Sequence, residues 1–159
     1  SQDICFIQDT SFSQFIIEKK GIRPKPGNIK DIHGNIVGTH KGLHAFTIGQ
    51  RRGVNCPASE PYYVRNLDLS TNTLVVCFKK DLAATKMQVD DIIWNYFENK
   101  EILTMTTKIR YSHKEAPSQL TRNGASGQVI FDEPQLAITP GQAAVFYIGN
   151  RVLGAGIIQ

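Results

Sequence analysis

The spacing of apolar positions changes its period once along this chain. Near the start, Phe12, Phe15 and Ile16 recur at helical spacing. Ser11 is a candidate N-cap, and Gln14 three residues on completes a capping-box pattern. Lys19 and Lys20 suit the negative end of a helix dipole, and Gly21 can close the last turn in the left-handed conformation. Together these predict one helix of about nine residues. Pro24, Pro26 and Gly27 then break the helical pattern, and alternation with period two takes over. Ile29–Ile32 and Ile36–Gly38 flank His33-Gly34-Asn35 as a hairpin. Tyr62–Leu69 and Thr73–Phe78 flank Ser70-Thr71-Asn72 as a second. Val89–Tyr96, Leu103–Tyr111, Gly127–Phe131, Ala143–Ile148 and Arg151–Ile158 are further strand candidates, with turn signals at Asn123-Gly124 and Gly149-Asn150. Closely spaced strands with little helix point to small β-barrels. Lys79-Lys80-Asp81 interrupts the alternation and marks a boundary within residues 79–87. The expected fold class is therefore mainly β, with one short N-terminal helix followed by two small β domains.

Composition narrows this picture. The 159 residues suffice for one ordinary domain or two small ones, and 41% hydrophobic residues can supply a core. No apolar run reaches membrane-spanning length, so no membrane partner is expected. No secretory signal pattern opens the chain, and Ser1 stands where an initiator Met would be; a fragment of a longer protein is expected. The net charge of +4 is uneven. Residues 1–80 hold 11 Lys and Arg against 6 Asp and Glu, whereas residues 81–159 hold 7 against 8. A modestly basic half suits a polyanionic partner, and equally a solvated basic surface. Three cysteines without a C-x-x-C pair argue against a disulfide scaffold or zinc knuckle and fit a reducing, cytoplasmic compartment.

Four segments carry candidate chemistry. Cys5 lies between Ile4 and Phe6, a setting more typical of an inert core thiol than of a reactive one. His40 and His44 are four apart, but Gly42 weakens a helix there and no third ligand is evident beyond the turn residue His33, so no metal site is expected. Gly49-Gln50-Arg51-Arg52-Gly53 places a Gln amide and two guanidinium groups in a compact loop, which suits phosphate oxygens and base edges or an ordinary surface turn. In Thr107-Lys108-Ile109-Arg110-Tyr111, alternation sends Lys108 and Arg110 to one face and Ile109 and Tyr111 to the other. A cationic face beside an aromatic suits RNA, and also fits a strand with one wet face. Finally, Pro140-Gly141 sets a tight turn that delivers Gln142 to the start of a strand, and Gly154-Ala155-Gly156 reads as strand in close backbone contact.

Taken in order, these segments resemble the tRNA-specific 2-thiouridylase family. The match runs the whole length of the chain: D-I-C-F-I, P-G-N-I, G-T-H-K-G-L-H, T-I-G-Q-R-R-G, P-Y-Y-V, K-I-R-Y, F-D-E-P, T-P-G-Q-A-A-V-F-Y and L-G-A-G-I-I. Each is weak alone; the ordered set is specific. The resemblance implies that residues 1 to 12 are the tail of an ATP-pyrophosphatase-type catalytic domain whose S-G-G-x-D-S loop is absent here. It implies a small central tRNA-binding domain over 13–80 and a C-terminal β-barrel over 81–159, similar to translation-factor barrels. ATP and magnesium would belong to the absent domain, with no cofactor in this chain. Cys5 matches the cysteine that takes sulfur as a persulfide from a cysteine desulfurase relay and later closes a transient disulfide with a second cysteine outside the chain. Arg110, Tyr111 and Gln142 match tRNA contacts, and Gln50, Arg51 and Arg52 are added to them as candidates from their loop. Ala155 stands where the family often has glycine, and Cys56 and Cys77 match no functional position. The implied activity is thiolation of the wobble uridine by a monomeric enzyme, with this chain inactive alone. Two rivals remain: a stand-alone RNA-binding β-barrel module, and a thiol hydrolase built on Cys5 and a His.

Overall fold

The computed structural model describes residues 15, 17–19, 21, 23–96 and 101–159. Cys5, the capping residues Ser11 and Gln14, and Phe12, Ile16 and Lys20 lie outside them. Phe15 and Ile17–Lys19 are helical, and Gly21 has φ +60°. The chain divides into two compact units between Leu82 and Ala83.

In the first unit, β1 (Gly27–Asp31) and β2 (Ile36–His40) form the first expected hairpin. Its turn closes because the Asp31 carboxylate accepts hydrogen bonds from the backbone N–H groups of His33 and Asn35, each at 2.9 Å. Strands β3 (Tyr63–Asp68) and β4 (Thr73–Cys77) form the second hairpin. There Asp68 accepts from the hydroxyls and amides of Ser70 and Thr71, which holds its carboxyl down at about 2. The two hairpins join through parallel pairing of β1 with β4, where Ile29 faces Leu74 and Asp31 faces Val76. The result is a four-stranded sheet in the order β2-β1-β4-β3, not a closed barrel. Ile29, Leu43, Val54, Val64, Leu74 and Val76 form its core. A short 3-10 turn, Lys79–Leu82, ends the unit.

The second unit is a closed barrel of six strands. They are β5 (Ala83–Trp94), β6 (Ile102–Lys108), β7 (Ala116–Asn123), β8 (Ser126–Leu136), β9 (Ala143–Ile148) and β10 (Arg151–Ile158). The order around the barrel is β10-β5-β8-β7-β6-β9, all neighbours antiparallel. Alternation fills the interior: Met87 and Val89 from β5, Leu103 and Met105 from β6, Leu120 from β7, Val129 and Phe131 from β8, and Ala144 and Phe146 from β9. One polar pair is buried among them, Thr107 Oγ1 to Ser118 Oγ at 2.7 Å, so neither hydroxyl is left unsatisfied. The Gly-rich tail is in close backbone contact, as expected. A methyl group at Gly154 would stand 2.5 Å from the carbonyl oxygen of Ile93.

Four strand assignments need correction. The strand expected over Val89–Tyr96 starts six residues earlier, at Ala83, and ends at Trp94. The strand expected over Gly127–Phe131 runs from Ser126 on to Leu136. β7 was not anticipated, because Ala116-Pro117-Ser118-Gln119 is polar and carries a proline. Pro117 is tolerated as the second residue of the strand, opposite Thr106. The strand expected to run to Tyr111 stops at Lys108. The mainly β class, with two small β domains and a barrel as the second, is what the structure has.

Candidate nucleic-acid interface

The end of β6 sets the first part of the site. Lys108 makes the last ladder contacts, opposite Val145 of β9. Beyond it the chain bends, so period-two alternation no longer governs which way side chains point. Ile109 turns inward at 2% exposure and Tyr111 turns outward at 87%, although simple alternation put them on one face. Lys108 and Tyr111 come together instead, with Nζ 5.6 Å from the ring centroid. Arg110 departs from the expected exposed cationic face too: it is half-buried. One terminal nitrogen of its guanidinium donates to the carbonyl oxygen of Ala137 at 2.6 Å and to Thr139 Oγ1. Burial lowers its pKa from the usual guanidinium value, yet an arginine stays protonated at any working pH. His113, whose N–H donates to the Arg110 carbonyl at 3.2 Å, is also held below its usual value, first by burial and then by the neighbouring guanidinium.

The second part is the turn that leads into β9. Thr139 and Gln142 close it, with the Gln142 N–H donating to the Thr139 carbonyl at 3.3 Å. Gly141 sits at φ +81°, the backbone that the third residue of a Pro-Gly turn requires. Two further bonds pin the turn to β10: Gly141 N–H to the Ile158 carbonyl at 2.8 Å, and Ile158 N–H to the Gln142 carbonyl at 2.9 Å. The Gln142 side chain is exposed. The Thr139 hydroxyl donates to the Ala137 carbonyl at 2.8 Å while accepting from Arg110. The adjacent Arg110 and Tyr111 and the sequence-distant Gln142 are thus brought to one end of the barrel. Ala137, at φ +53°, is a non-glycine residue in the left-handed region, and its carbonyl is where Arg110 and Thr139 meet.

The first unit holds the other candidate cluster, the Thr47–Gly53 loop. Gly49 at φ +82° allows a tight turn in which Gln50 N–H donates to the Thr47 carbonyl at 3.0 Å. The Gln50 amide then works within the loop. Its oxygen accepts from Thr47 N–H at 3.0 Å, and its nitrogen donates to the Arg52 carbonyl at 2.8 Å. Main-chain bonds from Gly49 N–H to the Val64 carbonyl and from Val64 N–H to the Gln50 carbonyl tie the loop to β3. Arg51 and Arg52 project into solvent. Gln50 is therefore the frame of this loop, and among the described residues Arg51 and Arg52 are its free donors.

The remaining candidates behave differently. His40 and His44 do not share a helix: His40 lies in β2, and His44 lies in the 3-10 turn Leu43–Ala45. His40 is buried, with Nε2 3.2 Å from the Asn72 carbonyl oxygen. Cys56 and Cys77 are free thiols, both raised above the usual thiol value by burial, which disfavours a thiolate. Cys56 packs on Gly38, where any side chain would meet its sulfur at 2.7 Å. Sequence reasoning passed over Thr139, Ala137 and His113. Thr139 gives a faint signal as a hydroxyl residue directly before Pro-Gly; the other two give none.

Comparison with known proteins fits this division. Residues 14–78 match a family model described as the tRNA methyl transferase PRC-barrel domain, and residues 84–158 match the aminomethyltransferase beta-barrel domain. The chain is 46% identical over its whole length to a tRNA-specific 2-thiouridylase of Desulfosudis oleivorans, spanning 45% of that protein. It is 38% identical to one of Carboxydothermus hydrogenoformans, spanning 44% of it, and 41% identical to one of Clostridium beijerinckii, spanning 45%. The chain thus spans less than half the length of these relatives and corresponds to their C-terminal part. With both units matched and 46% identity along the whole of this chain to a protein of that name, the chain belongs to the tRNA-specific 2-thiouridylase family.

Proposed function

We propose that this chain is the tRNA-holding and sulfur-accepting part of a tRNA 2-thiouridylase acting on the wobble uridine. The observation that carries the reading is the barrel end, where an exposed aromatic, an exposed amide and an anchored guanidinium converge from two loops. That set can stack on a base, hydrogen-bond a base edge and pair with phosphate. Arg51 and Arg52 of the first unit add sequence-independent phosphate attraction.

In this reading residues 1 to 12 belong to a catalytic domain that binds ATP and magnesium. ATP adenylates the C2 oxygen of uridine, which converts it to a leaving group. Cys5 carries a sulfane sulfur delivered by a cysteine desulfurase relay. That sulfur attacks C2 and AMP departs. A second cysteine of the catalytic domain attacks the Cys5 sulfur, leaving a C2 thiocarbonyl and a disulfide. The electrons balance: the sulfane sulfur is reduced by two, and the two thiols are oxidised by two. A transient disulfide of this kind suits a reducing cytoplasm. Cys56 and Cys77 take no part, consistent with the partial burial of Cys56 and the burial of Cys77, which push both thiols up and disfavour the thiolate.

The test uses the full-length enzyme. Cys5→Ser is expected to abolish thiolation and leave tRNA affinity nearly unchanged, because a hydroxyl is close to a thiol in size but cannot carry a sulfane sulfur. Cys56→Ser and Cys77→Ser are expected to remain active, with at most a stability cost from a hydroxyl in an apolar setting. Thiolated uridine is read by gel retardation. Normal turnover by Cys5→Ser would reduce the chain to an RNA-holding module.

A further inference from the structure

We propose that Thr139 is a positioning residue that latches the Arg110–Tyr111 loop to the Pro140-Gly141-Gln142 turn, so that Tyr111 and Gln142 meet RNA as one preset surface. The proposal rests on the tRNA-binding reading above and deepens it.

The two loops leave different strands and have separate backbone anchors. The turn is pinned to β10 through Gly141, Gln142 and Ile158. The Tyr111 loop is free of that ladder, since β6 has ended at Lys108. What joins them is a three-membered cycle. Arg110 donates to the Ala137 carbonyl and to Thr139 Oγ1, and the Thr139 hydroxyl donates to that same carbonyl. Thr139 is 8% exposed and Ala137 is 6% exposed, so these bonds form away from solvent, where water competes poorly for them. The hydroxyl is used as donor and acceptor at once. No residue without a hydroxyl can replace it at that size.

The cycle also explains the backbone of Ala137. A left-handed alanine is disfavoured relative to ordinary φ, and it persists only where the surroundings fix it. At φ +53° it aims its carbonyl at the two donors. Arg110 thereby spends one end of its fork on its own protein, and its other N–H groups are those left for a phosphate. Its larger effect is on Tyr111, the next residue, which stands 87% exposed with the Lys108 ammonium over its ring. Ordering such a loop in advance removes an entropic cost that binding would otherwise meet.

The experiment compares Thr139→Val with Thr139→Ser in this chain. Valine keeps the shape and removes both hydrogen bonds; serine keeps both. Amide hydrogen exchange of the free protein is read at Tyr111, Ser112 and His113. Faster exchange is expected for Thr139→Val and near-normal exchange for Thr139→Ser. Binding of unmodified tRNA is then measured at low salt. Thr139→Val is expected to bind roughly fivefold to tenfold more weakly, with Thr139→Ser close to the parent. In an Arg110→Ala background, Thr139→Val is expected to add little, because the latch is already open. A purely structural role would lower thermal stability yet leave Tyr111 exchange, the serine rescue and this non-additivity unmoved, and that pattern would overturn the proposal. If Arg110→Ala weakens binding and Thr139→Val does not, the latch is wrong and the tRNA reading stands. If the parent chain shows no salt-dependent tRNA binding, both fall together.

Discussion

The two candidate RNA-facing loops solve the same problem in opposite ways. In the first unit the amide of Gln50 is turned inward to frame the loop, and the guanidinium groups of Arg51 and Arg52 are left in solvent. In the barrel the guanidinium of Arg110 is turned inward, and an aromatic and an amide, Tyr111 and Gln142, are presented instead. The difference teaches that residue type does not decide which group meets a ligand. An unanchored arginine contributes charge over a range of positions and is screened by salt. An anchored arginine contributes order, and the groups it holds supply directional contacts. The first unit is thus suited to attract a polyanion, and the barrel end to read its shape.

This contrast can be broken most directly at Arg110. Arg110→Ala is expected to lower stability and to weaken tRNA binding by about 1–3 kcal/mol, since on the proposed reading it removes a phosphate partner and also opens the latch over the Ala137 carbonyl. Isothermal titration and thermal melting of the same variant would show both effects. A variant that binds weakly with an unchanged melting curve would mean that Arg110 is merely another free cation, like Arg51.

The smaller effects lie in the first unit. Gln50→Ala is expected to cost about 1 kcal/mol of stability through the loss of two loop hydrogen bonds, whereas Arg51→Ala and Arg52→Ala are expected to leave the melting curve in place. Each arginine variant should instead flatten the dependence of log affinity on log salt by roughly one unit. An arginine variant that melts early, or a Gln50 variant that changes only the salt slope, would exchange the roles assigned here.

The smallest effect sharpens the barrel side through pH. His113 has a native pKa below its reference value of 6.5, because burial and then Arg110 disfavour the imidazolium. Both states are neutral well above 6.5, so the full contribution to stability is present there. As pH falls below 6.5 the unfolded chain takes up its proton first, and stability declines until the native imidazole also protonates. His113→Gln is expected to remove this step from a stability profile taken between about pH 7 and pH 5. Arg110→Ala should reduce it without abolishing it, since burial is the larger cause. An unchanged step in the glutamine variant would assign it to another group.

Some of this protein was fixed by local chemistry and is legible in sequence. The Asp31 and Asp68 turns close by side-chain hydrogen bonds to residues two to four positions away, so His33-Gly34-Asn35 and Ser70-Thr71-Asn72 announce their hairpins. The Gly149-Asn150 turn signal separates two apolar runs, and the expected bounds of β9 and β10 coincide with the observed ones. The family motifs pointed to the positions of Arg110, Tyr111 and Gln142. Other features had no local cause. Parallel pairing of β1 with β4 joins segments more than forty residues apart, and nothing within either strand encodes its neighbour. Barrel closure let β7 form despite Pro117, since pairing on both sides outweighs a weak propensity. Whether Arg110 faced solvent or its own chain depended on a carbonyl at Ala137 and a hydroxyl at Thr139, nearly thirty residues further on. A sequence names the groups able to bind; only the folded chain, by bringing distant donors and acceptors within about 3 Å of one another, decides which of them are already taken.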